Sequence, residues 1–88
     1  MGKETYLNKK IVVDTSTSWI YIGTFISEDE KYLILEKADA YDISETTLSK
    51  QEYLLRVKQD GIVANREKVK ILKDKIVAIT ILEDILEK

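Results

Sequence analysis

Residues 19–26 read Trp-Ile-Tyr-Ile-Gly-Thr-Phe-Ile, an almost unbroken run of aromatic and β-branched side chains with a glycine inside it. Such a run is too apolar for a strand with one wet face and too poor in helix formers for a helix, so it predicts a long central strand. Gly23 weakens that strand unless the sheet bends sharply there or another backbone comes close, which a small barrel demands. With 88 residues the chain supports one core, and a single domain over 1–88 is expected.

Around that strand the chain falls into short segments. Ile11–Val13 is a β-branched cluster followed by a polar turn at Asp14–Ser18. After the turn Glu28-Asp29-Glu30, Tyr32–Leu35 starts a third strand running toward Tyr41. Between Asp42 and Arg66 the pattern becomes helical. Ser49 with Glu52 makes a capping box, Leu48 and Tyr53 a hydrophobic staple, and Gly61 a stop signal. These signals predict a helix over 50–60 within an inserted segment of about 43–66, with Tyr53, Leu54 and Val57 against the sheet. Glu67–Leu72 alternates again, and Ile76–Leu82 follows after only Lys73-Asp74-Lys75, which predicts a tight β-hairpin with positive φ at Asp74 or Lys75. The expected fold is mainly β: a small, strongly bent, five-stranded antiparallel barrel with one inserted helix.

Composition narrows function by exclusion. Hydrophobic residues at 44% and charged ones at 34% are incompatible with a disordered tail. The chain has no His and no Cys, which removes disulfides, Cys/His metal sites and catalysis by imidazole or thiolate. No enzyme activity, cofactor or metal is expected. The Ser and Thr residues of 15–18 and 44–49 have no base beside them and read as turn and cap residues. The first ten residues are polar and the longest apolar run, Ile76–Leu82, is far shorter than the roughly 20 residues that span a bilayer, so a cytoplasmic protein without membrane insertion is expected. Gly2 stands where an N-myristoylation signal would begin, but Tyr6 occupies the position that needs Ser or Thr.

The order of segments resembles the Sm-like (LSm) family over residues 10–42 and 67–82. The first family motif is matched by Gly23, Phe25, the Glu28–Glu30 turn, Tyr32–Leu35 and Ala38, and the second by Ile71–Thr80. Within them, Tyr32 stands where the family has its base-reading asparagine and Lys31 at the neighbouring stacking position. Lys73 stands in place of an arginine, without its planar fork, and Asp74 in place of a glycine. The resemblance implies a homo-oligomeric ring that binds single-stranded RNA non-catalytically through pore-side turns. Candidate RNA-binding residues are Lys31, Tyr32, Lys73 and Lys75, with Gly23, Asp29 and Asp74 as structural motif positions.

Two sequence features bear on that implication independently. Ile76–Leu82 carries no charge and no Pro, so as a free edge it would be an aggregation hazard and is expected to be covered by a neighbouring copy. Candidate interface residues are Val69, Ile71, Ile76, Val77, Ile79 and Ile81. Net charge is −2, which gives no whole-molecule attraction to nucleic acid, but Lys68–Lys75 holds four lysines against one aspartate and a ring would repeat it. The alternative is a protein-interaction scaffold, ring-forming or monomeric, that engages a protein partner through the helix at 50–60 and no nucleic acid.

Overall fold

The computed structural model describes residues 3–87; Gly2, and with it any lipidation signal, lies outside them. After a short helix α1 (Lys3–Tyr6) come β1 (Lys10–Thr15), β2 (Trp19–Glu28), β3 (Tyr32–Asp42), α2 (Lys50–Asp60), β4 (Arg66–Leu72) and β5 (Ile76–Ile81). The five strands form one antiparallel sheet in the order β4-β3-β2-β1-β5, strongly bent but not closed.

The pairing of β2 with β3 is irregular around Gly23. Thr24 pairs with Glu36 and Ile22 with Asp39, so Gly23 alone faces both Lys37 and Ala38. This is a β-bulge, and Lys37 takes the left-handed backbone conformation at φ 50 to make it. A Cβ on Gly23 would lie 2.8 Å from the Ala38 Cβ and 3.1 Å from the Glu36 carbonyl oxygen. Glycine is therefore required here by close approach of backbones.

Bending gives the sheet two apolar layers. Ile11 and Val13 of β1 point inside the bend, with Phe25, Leu33, Leu35, Ala38 and Ile71. Val12, between them, points to the opposite face with Ile20 and Ile22, where Tyr53, Leu54 and Val57 of α2 and Leu82 cover it. β1 is thus buried on both sides. The predicted helix boundaries and capping box are present: Ser49 Oγ accepts from Glu52 N at 3.1 Å and Glu52 Oε1 accepts from Ser49 N at 2.9 Å. At the other end Gly61 at φ 94 donates its N–H to the Val57 carbonyl at 2.8 Å.

The predicted hairpin between β4 and β5 is corrected. These strands do not pair; they form the two edges of the sheet, joined by a single 3-10 turn over Lys73–Lys75. A three-residue link ordinarily implies adjacent strands, but here the sheet curls far enough to bring its two edges within that reach. Neither Asp74 nor Lys75 takes a positive φ; among the described residues the non-glycine positive-φ positions are Asn8 and Lys37.

Candidate nucleic-acid interface

The sequence places a charged turn between β2 and β3 and another between β4 and β5, and the bend brings them together. Asp29 organises the first. Its Oδ1 accepts hydrogen bonds from the Lys31 N–H at 2.9 Å and the Tyr32 N–H at 2.7 Å. Those backbone donors, Tyr32 first, hold the Asp29 carboxyl below the usual carboxylate range. The second turn docks on the first through a hydrogen bond from Lys73 N–H to the Lys31 carbonyl at 2.8 Å.

Lys31, Tyr32 and Lys73 consequently share one end of the sheet. Lys31 is exposed, whereas the Lys73 ammonium lies 2.5 Å from Glu28 Oε1 in a pair whose glutamate side chain is only 15% accessible. Tyr32 is half-buried, and Lys70 Nζ sits 5.2 Å above its ring centroid. Lys75 leaves this cluster: its carbonyl accepts from Ser16 N–H at 2.8 Å, which anchors it beside the β1–β2 turn. Asp74 is exposed and makes no side-chain hydrogen bond among the described residues, so backbone bonds hold the turn instead.

The candidate interface residues divide by strand alternation. Ile71 is 4% exposed inside the bend, and Val69, Ile76, Ile79 and Ile81 pack against the same cluster. Their side chains fill this chain's own core, so at those positions only the backbone edges of β4 and β5 are left for a neighbouring copy. Val77, at 67% exposure, is the one that projects outward. It sits in a bulge, because Ala78 pairs with Asp14 and Ile76 with Thr15, leaving Val77 without a partner on β1. β4 has only β3 as a neighbour and β5 only β1, so each presents an open backbone edge.

Similar folds are found among solved structures. An Sm protein of Pyrococcus abyssii, solved in complex with a uridine heptamer, is 20% identical and superposes with a TM-score of 0.60, covering 89% of each chain. The fold is Sm-like. A chain from the NatC complex bound to CoA is similar too, at 12% identity and a TM-score of 0.58, with 92% of this chain and 84% of that one covered. No protein-family model and no curated protein matches the sequence.

On this Sm-like fold, α2 is an addition between β3 and β4, tied down by polar groups that sequence reasoning missed. Asp39 accepts from the Tyr53 hydroxyl through Oδ2 and from Asn65 Nδ2 through Oδ1. Burial first, and then the Asp39 carboxylate, push the Tyr53 hydroxyl well above the ordinary tyrosine range, so it remains a donor. The Tyr53 ring stacks on Tyr41 with centroids 3.7 Å apart and planes 7° from parallel. Asn65 extends the β3–β4 ladder with its side chain, bonding the Ala40 N–H at 2.9 Å and the Ala40 carbonyl at 3.0 Å. The sequence marks Tyr53 as helix packing, but no local signal points to Asp39 as the polar partner it shares with Asn65.

Proposed function

We propose that this chain is a non-catalytic binding protein that assembles into a homo-oligomeric ring and takes single-stranded RNA along its pore-side turns. The observation that carries the proposal is the hydrogen bond from Lys73 N–H to the Lys31 carbonyl, which joins two turns distant in sequence into one surface that carries Lys31, Lys73 and the Tyr32 ring. The open edges of β4 and β5 support the ring, since unpaired backbone edges favour strand addition by another copy. The likeness to an Sm protein solved with a uridine heptamer supports the choice of ligand.

Binding requires two local exchanges. A base stacking on Tyr32 displaces Lys70 from the ring, trading an exposed cation–π contact of about 0.5–1 kcal/mol for stacking of about 1–3 kcal/mol. The displaced ammonium is then free for phosphate. Lys73 must share its charge between Glu28 and a phosphate, so Lys31 and Lys70 carry more of the electrostatic attraction than they would on a surface without Glu28. Recognition by stacking and charge is tolerant of base identity.

Titration with a short poly-uridine oligonucleotide tests this. Wild-type affinity should fall steeply with salt, and Lys73→Glu, which sets a second carboxylate beside Glu28, should remove most binding. Unchanged affinity in that variant eliminates the turn surface as the site. The Lys73–Glu28 pair also favours a second reading, a protein-binding scaffold in which the turn charges are internally satisfied. Nuclease-treated protein that shifts no oligonucleotide at low salt would decide for the scaffold.

A further inference from the structure

A groove enclosing about 390 Å³ runs between the C-terminal end of α2 and the start of β1, lined by Val57, Lys58 and Gly61 on one side, Asn8–Lys10 on the other, and Ile81–Glu83. That volume lies within the roughly 300–1,000 Å³ range of small-molecule sites. The floor is fixed, because Val57 and Leu82 are members of the outer apolar layer. The Asn8–Lys10 wall is fixed too: Asn8 N–H donates to the Phe25 carbonyl at 2.9 Å, Phe25 N–H to the Lys9 carbonyl at 3.0 Å, and Asn8 takes φ 63 to allow both. Lys58 is held at the opposite rim by a 2.5 Å bond from its ammonium to the Ile85 carbonyl.

The lining is an apolar floor under three lysines and one glutamate. From this juxtaposition we infer that the groove is a binding site for a small amphipathic anion, a medium-chain carboxylate, with its head on the Lys9–Lys10 wall and its apolar body over Val57 and Leu82. The orientation follows from electrostatics. The end of α2 carries the negative pole of the helix, which repels an anionic head from Gly61 and leaves that end to the apolar body. A singly charged carboxylate suits the site better than a dianionic phosphate, because Glu83 repels the second charge. The site does not depend on the ring or on RNA.

Octanoate tests the assignment, with octanol as its uncharged counterpart, by amide chemical-shift titration of the whole protein. Octanoate should shift the amides of Asn8, Lys9, Lys10, Gly61 and Leu82 and bind at least about tenfold more tightly than octanol. The double substitution Lys9→Glu and Lys10→Glu, at exposed positions, should weaken octanoate about tenfold or more, and Glu83→Gln should tighten it. Lys73→Glu should leave octanoate binding unchanged, so failure of the turn surface and failure of this groove are read separately. Equal binding of octanol, indifference to both charge substitutions, shifts confined to other residues, or preference for an acidic peptide that octanoate does not displace would each overturn the assignment.

Discussion

The Tyr53 hydroxyl on α2 donates its hydrogen bond to the Asp39 carboxylate on β3, across an insert that separates the two residues by 14 positions. This bond and the ring stacking on Tyr41 fix where the helix sits on the sheet. Tyr53→Phe keeps the stacking and removes the donor, leaving Asp39 with Asn65. Hydrogen bonds to a charged group contribute about 1.5–3 kcal/mol, so the urea midpoint should fall by that equivalent with an unchanged slope. A midpoint within experimental error of wild type would mean that the apolar layer alone holds the helix.

Gly23→Ala should destabilise by about 1–3 kcal/mol, the usual cost of forcing an extra carbon into packed structure. Part of the strain should be relieved by Ala38→Gly, since the nearest obstruction is the Ala38 Cβ, but not all, because the Glu36 carbonyl lies 3.1 Å away. A double-mutant cycle from denaturant curves measures this. Strict additivity of the two substitutions contradicts the close approach.

The pH profile of stability follows from which groups are shifted. Asp29, Asp42 and Glu52 lie below their ordinary ranges because of hydrogen bonds they accept, from Tyr32 N–H foremost for Asp29, from Ser44 for Asp42 and from the Ser49 backbone for Glu52. A depressed acid contributes stability that is complete above its unfolded value and lost as pH falls through its folded value. With no histidine in the chain, the urea midpoint should be nearly flat from about pH 5 to 9 and drop below about pH 4. Tyr53 and Lys37 are raised, Tyr53 by burial and Lys37 by its hydrogen bond with Glu67, so their contribution is complete below about pH 10 and declines above it. The triple variant Asp29→Asn, Asp42→Asn, Glu52→Gln should flatten the acid limb and leave the alkaline one.

Val77→Lys places a charge on the open edge of β5 without entering the core, since Val77 has no partner on β1. Charged edge positions oppose strand addition. Light scattering should give a multiple of the single-chain mass for wild type and a smaller species for the variant, with far-ultraviolet circular dichroism unchanged. A wild-type monomer removes the ring and the shared pore together.

Much of this was legible in the sequence, for identifiable reasons. The helix was found at its boundaries because Ser49, Glu52 and Gly61 act locally, within a turn of the backbone they satisfy. The central strand and its bend were announced by the apolar run around Gly23. What escaped depends on distant partners. The Lys73–Lys75 link looked like a hairpin because alternation on both sides is identical whether two strands pair or curl to opposite edges. Nothing in the local sequence marks Lys37 for a left-handed backbone, a conformation usually given to Gly or Asn, because the bulge there is imposed by the strand across from it. The four residues of α1 are too few to show a period. At the turn surface, Lys31 and Tyr32 lie beside Lys73 in the structure, but Glu28 as the lysine's partner and Lys70 over the tyrosine ring follow from register alone.

Burial of β1 on both sides has a practical corollary for anyone who would re-engineer this scaffold. The segment between β3 and β4 looks from its position like an insert that could be trimmed, yet its removal would strip the cover from Val12, Ile20 and Ile22. Transplanting the helix onto another sheet would likewise fail unless those three residues and Leu82 travelled with it, so the insert and the two strands beneath it form one inseparable module.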